Sequence, residues 1–95
     1  MLEIMPGMRL MLAPNIHLQG IEEINKFWLF NTVTGEHYTI NQTAYWILSK
    51  IVKEVSVDSL FQDFLSEFDV HKDRARDDFA EILEKCIEEG IALRR

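Results

Sequence analysis

Apolar positions recur in two rhythms along the chain, and the rhythm changes near residue 41. Before that point apolar residues cluster in short runs closed by turn residues. Met8-Arg9-Leu10-Met11-Leu12 is one such run, ended by Ala13-Pro14-Asn15. The prolines on either side, Pro6 and Pro14, suit a short or edge strand, because proline cannot donate to a ladder. Phe27-Trp28-Leu29-Phe30 is a second run, aromatic enough to bury both faces of a strand. A turn at Asn31 to Glu36, containing Gly35, separates it from His37-Tyr38-Thr39-Ile40, and two runs so joined read as a hairpin. Strands are thus predicted near 8–12, 27–31 and 37–40. Residues 15–26 are weakly patterned, with a bend at Gly20, and receive no element.

After Asn41 the spacing becomes helical. Asn41 is a good N-cap for a helix near 43–54 that carries Ala44, Ile47, Leu48, Ile51, Val52 and Val55. Ser56 caps a second, near 57–67, with Val57, Leu60, Phe61, Phe64, Leu65 and Phe68 on one side. A third, near 72–89, bears Ala75, Phe79, Ile82, Leu83, Cys86 and Ile87, and Gly90 stands where a helix wants a left-handed terminator. Ile91-Ala92-Leu93 leaves it as a short apolar tail. Strands first and helices second is an α+β order, and a lone hairpin must bury its aromatic face against the helices. Such a hairpin on three short helices has the shape of a winged helix-turn-helix, a shape that fixes no function. With no linker or repeat, residues 1–95 read as a single domain.

Composition then narrows the function. The 47% hydrophobic content is enough for a modest core, and no apolar run is long enough to span a membrane. The apolar start lacks the basic head and cleavage site of a signal peptide, and the single Cys86 forms no internal disulfide. A cytoplasmic protein is the expectation. The net charge of −6 sits entirely in residues 54–95, since residues 1–53 balance four acids against four bases. Residues 72–90 carry seven acids and four bases, so a DNA-reading helix there lacks its basic footprint. A winged-helix DNA-binding regulator is therefore the weaker alternative.

Catalytic and metal chemistry find no support. His17, His37, His71 and Cys86 share no ligand spacing. No serine lies in a nucleophile elbow, and the four glycines are isolated. Cys86 lies on an apolar stripe, where a free cysteine is a small buried hydrophobe. Asp77 and Asp78, about 100° apart on a helix, read as a solvated face rather than an acid–base pair. A non-enzyme without cofactor or metal is expected. Trp46 lies off the first helix's main stripe; packing under the first connection is preferred to service as an exposed anchor.

Thr34-Gly35-Glu36-His37-Tyr38-Thr39-Ile40-Asn41-Gln42-Thr43-Ala44 resembles the glycine turn, aromatic-bearing strand and first helix start of the PqqD family. Pro6-Gly7-Met8-Arg9-Leu10 resembles the opening strand, and Phe68-Asp69-Val70 the loop before the last helix. Arg76-Asp77-Asp78-Phe79 through Leu83, then Glu89-Gly90-Ile91, follow that helix's spacing. His71 and Leu48 depart from the common pattern, standing where many members have an acidic cap and a tryptophan.

The resemblance implies a RiPP recognition element: a three-stranded antiparallel sheet followed by three helices, in winged helix-turn-helix form. It implies a non-catalytic peptide chaperone that binds the leader of a ribosomally made precursor peptide as an added strand. The partner is then a modifying enzyme, of radical-SAM type as in pyrroloquinoline quinone synthesis or of lasso protease or cyclase type. The chain itself acts as a monomer or homodimer. The implied peptide-binding residues are His37, Tyr38, Thr39 and Ile40 on the strand, with Arg76, Phe79, Ala80 and Leu83 on the last helix. An edge strand supports this physically, because its unpaired main-chain groups accept an extended peptide. Alternation sends Tyr38 and Ile40 to one face and His37 and Thr39 to the other. Phe79 and Leu83, one turn apart, could floor the neighbouring groove, although ordinary core positions are the preferred reading for each.

Overall fold

The computed structural model describes residues 7–68 and 72–94. Pro6, Asp69, Val70 and His71, which entered the sequence reading, lie outside the described residues. The elements run β1 (Arg9–Leu12), β2 (Ile16–Ile21), a 3-10 turn (Glu22–Ile24), β3 (Lys26–Asn31), β4 (His37–Ile40) and α1 (Gln42–Lys50). Then follow β5 (Val55–Ser56), α2 (Val57–Glu67), α3 (Lys72–Glu88) and β6 (Ala92–Arg94).

The α+β class holds, but the expected order of one sheet followed by three helices does not. Among the described residues six strands form two antiparallel three-stranded sheets, β2-β3-β4 and β5-β1-β6. The segment 8–12 was expected beside the hairpin; β1 instead pairs Leu10 with Val55 on one side and Leu12 with Ala92 on the other. The third strand of the hairpin sheet is β2, in the stretch that carried no assignment, with Leu18 opposite Leu29 and Gly20 opposite Phe27. The first helix is also shorter than the expected 43–54. It ends at Lys50 because the Ile51 carbonyl accepts the Leu12 N–H at 2.8 Å and Val55 turns away to pair with β1. The apolar tail after Gly90 became β6 for the same reason: Leu10 to Leu12 offered a second open edge.

The helix ends follow local chemistry. Asn41 Oδ1 accepts from the Ala44 N–H at 2.8 Å and Ser56 Oγ from the Ser59 N–H at 3.2 Å, each satisfying an orphan donor. At the end of α3, Gly90 takes φ 75°, its N–H reaches the Ile87 carbonyl and the Ile91 N–H the Cys86 carbonyl. That is a Schellman closure, which glycine enters without steric cost. The β3–β4 turn rests on Asn31, whose Oδ1 accepts from Val33 N–H at 2.9 Å, while Gly35 at φ 79° completes the reversal.

One core joins both sheets and all three helices. Leu10, Leu29, Ile47, Leu48, Ile51, Leu60 and Leu83 are its largest fully buried side chains. Trp46 packs as expected in kind but elsewhere in place. Its ring lies 6.0 Å from Phe64 and 5.5 Å from Phe68 on the α2 side, with the Lys50 ammonium 5.3 Å away. β2 meets α1 through Gly20, where an added Cβ falls 2.8 Å from the Tyr45 ring and 2.9 Å from Phe27. Those two rings are themselves packed together with centroids 4.6 Å apart, so neither can yield cheaply. Gly20→Ala is therefore expected to cost about 1–3 kcal/mol of stability through overpacking. Urea unfolding checks this, and an unchanged midpoint would show that the β2–α1 contact is loose.

Candidate functional site: a strand edge beside a groove

The order β2-β3-β4 leaves β4 at the edge of its sheet. Its free side can be read from the ladder. Asn31 N–H donates to the Glu36 carbonyl at 2.9 Å, and Thr32 N–H, on the other side of β3, to Asn15. Main-chain groups alternate along an antiparallel pair, so Leu29 and Phe27 exchange bonds with Tyr38 and Ile40. His37 and Thr39 consequently aim their N–H and C=O away from the sheet. Side chains alternate in step with this, between the two faces of the sheet. Tyr38 and Ile40 stand opposite buried Leu29 and Phe27, on the core-facing side; His37 and Thr39 stand opposite Phe30 and Trp28 on the other. The His37 and Phe30 rings lie 4.7 Å apart there.

Beneath that edge, on the core-facing side, lies a groove of about 390 Å³. Tyr38, Thr39 and Ile40 form one wall, and Ile82, Lys85 and Cys86 of α3 with Glu89 just after it the other. Leu29, Ala44, Leu48 and Ile91 contribute to its apolar lining. It runs on at one end into a recess of about 340 Å³ bounded by Ile16, Asn31, Tyr38, Glu89 and Ile91. Tyr38 and Glu89 line both recesses and so mark their shared end, from which β4 leads on to Ile40 and α3 back to Cys86 and Ile82. A third recess, of about 360 Å³ beside α2, has Arg9, Lys50, Glu54 and Asp63 in its walls, with Arg9 and Glu54 3.5 Å apart. Its charged walls suit an apolar ligand poorly.

Two groups in the groove are electrostatically perturbed. Burial pushes the Cys86 thiol up to about 11, helped by the Glu89 charge and opposed by Lys85. At neutral pH it is protonated and serves as apolar lining, not as a nucleophile. The Tyr38 phenol is raised above its ordinary value, first by its hydrogen bond to Glu36, then by desolvation and the charges of Glu36 and Glu89. Among the described residues no group of three His, Cys, Asp or Glu side chains could hold a metal ion, and no polar side chain is buried. No described helix is long and apolar enough to cross a membrane.

This chain matches the family model of coenzyme PQQ synthesis protein D (PqqD) over residues 27–92, from β3 to the first residue of β6. It belongs to the PqqD family. Among solved structures it is similar to a lasso peptide synthetase B1 complexed with the leader peptide. The two share 26% identity and a TM-score of 0.70, over 88% of this chain and 96% of that one. A second likeness is to TbiB1 in complex with the TbiA(beta) leader peptide, at a TM-score of 0.73 over 86% of this chain and 93% of that one. At 12% identity that likeness is one of fold. No curated protein matches the chain.

Within this PqqD-family domain the structure separates the residues that the sequence grouped together. His37, Tyr38, Thr39 and Ile40 all lie on the edge strand, and the last three line the groove. On α3 the four residues expected at the site do not line the groove. Phe79 and Leu83 are 3% and 0% exposed and belong to the core, the Phe79 ring packing at a tilt against Phe61 at 5.1 Å and Phe64 at 5.2 Å. Arg76 is exposed and Ala80 half-buried, and neither contributes to the groove. The groove face is turned toward β4, and carries Ile82, Cys86 and Glu89 at helical spacing, with Lys85 at its rim. One signal in the sequence pointed there. The apolar stripe of α3 includes Ile82 beside Leu83, which is wider than packing against a single neighbour needs.

Proposed function

We propose that this chain binds the leader segment of a ribosomally made precursor peptide and presents it to a modifying enzyme. The leader joins β4 as an added strand, bonding to the outward main-chain groups of His37 and Thr39. Alternate side chains enter the groove over Ile40, Ile82 and Cys86. The observation that carries this reading is the open edge of β4 standing directly over an apolar groove. Main-chain pairing there supplies affinity and the pocket supplies selectivity. Family membership and the leader-peptide complexes of its structural relatives support the same conclusion. α3 bears six acids against four bases, so nothing favours a DNA-reading role.

The test is an NMR titration with a synthetic peptide spanning the leader of a precursor encoded beside the chain's own gene. Shifts are expected at residues 37–41 and 82–91, with the region of Lys50 and Lys53 unchanged. Shifts confined to α1 and α2, with β4 silent, would place the binding surface elsewhere.

A further inference from the structure

The groove is apolar along most of its length but not at the end where Tyr38 faces α3. Glu89 lines that end, and Glu36 reaches it through the Tyr38 hydroxyl. Among the described residues neither carboxylate enters an ion pair. Glu89 is also unfavourably placed for the helix, because it and Glu88 sit at the C-terminus of α3, where the helix dipole already concentrates negative charge. Lys85 is the only basic residue in the last turn, four positions before Glu89. A lysine placed N-terminal to a glutamate is the poorer order for an i,i+4 pair, so it compensates little.

We propose that this end of the groove takes a lysine or arginine side chain of the bound peptide, two residues C-terminal to the apolar side chain lodged over Ile82 and Cys86. The inference rests on the leader-binding reading above and adds a charge register to it. The spacing follows from the strand. Side chains that enter the groove stand opposite Ile40 and Tyr38, two residues apart and about 6.6–6.8 Å along an extended chain. The order follows from direction. Every strand pair among the described residues is antiparallel, and antiparallel pairing is the more stable per residue. A peptide antiparallel to β4 passes Ile40 first and Tyr38 second. Lys85 sharpens the register, since a base moved back toward the anchor position meets its charge rather than that of Glu89. Main-chain pairing alone is blind to register; an apolar anchor with a base two residues later is not.

The probe is a random twelve-residue peptide library displayed against the full chain, with clones that also bind Cys86→Trp, whose added ring fills the groove, removed. The remaining clones are expected to share an apolar residue followed two positions later by lysine or arginine. Glu89→Gln should weaken them roughly two- to fivefold, as for a solvent-exposed ion pair. The loss should shrink at high salt, and Glu89→Lys should turn the selected base into an acid. Because Glu89 is exposed at a helix C-terminus, Glu89→Gln should leave the thermal midpoint unchanged or raised. Groove-dependent clones with no charge preference, or with the base on the N-terminal side of the anchor, overturn the charge register and leave the peptide groove standing. A library that yields no groove-dependent clone, while Cys86→Trp remains folded, overturns the groove reading and this inference with it.

Discussion

Leu83→Ala should lower the unfolding free energy by about 2–5 kcal/mol while the folded fraction binds peptide as tightly as before. Leu83 is 0% exposed, so truncation removes its transfer energy and leaves a cavity. For a domain of this size total stability is about 5–15 kcal/mol, and each kcal/mol moves the thermal midpoint by roughly 4–8 °C. Ile82→Ala, one residue earlier on the same helix, should behave oppositely. Ile82 is half-buried and lines the groove, so its loss removes part of the surface an anchor side chain covers. Affinity should fall by about 1–2 kcal/mol, roughly five- to thirtyfold, with only a small change in midpoint. Denaturant unfolding and peptide titration on the same two variants separate the effects. If Leu83→Ala weakened binding at unchanged stability, the groove would lie on the face of α3 that packs against α2.

That contrast also marks where the sequence stopped being informative. Local signals were legible, because their causes lie within a few residues. Asn41, Ser56 and Gly90 each satisfy or terminate main-chain groups of their own helix, and all three do so in the structure. The runs 27–30 and 37–40 declared themselves by composition, and the turn between them by Asn31 and Gly35. β2 was not legible, because Ile16 to Ile21 alternates weakly and includes Gly20, whose reason for being glycine is the Tyr45 ring 25 residues later. The second sheet was invisible for a related reason. Val55 and Ala92 become strand residues only by pairing with β1, some 45 and 80 residues distant, and no local pattern reports that. The site divides in the same way. Its strand wall follows from alternation along β4, whereas its helical wall depends on the rotation of α3 relative to β4. Leu83 and Ile82 differ by one position and about 100° around the helix axis. Only the packing of Phe79 against Phe61 and Phe64 decides which of them faces the core.

Thr39→Pro should leave the hairpin folded and weaken peptide binding by about 1–3 kcal/mol, roughly five- to 150-fold. Proline is tolerated on an edge strand when its missing N–H would have faced outward, and the β3–β4 ladder gives Thr39 that position. The residue before a proline is pushed toward extended backbone, which Tyr38 already adopts within β4. What the variant lacks is a donor for the incoming strand, whose carbonyl is then left without a partner. Tyr38→Pro supplies the contrast, because it removes a bond within the sheet and should destabilise the free chain. Hydrogen exchange reads the same register without mutation. In the free chain the amides of Tyr38 and Ile40 should exchange slowly and those of His37 and Thr39 fast, with peptide slowing the second pair. A folded Thr39→Pro variant that binds as tightly as the parent would remove β4 from the mechanism, because a strand cannot be added to an edge that has lost its donor without some loss of affinity.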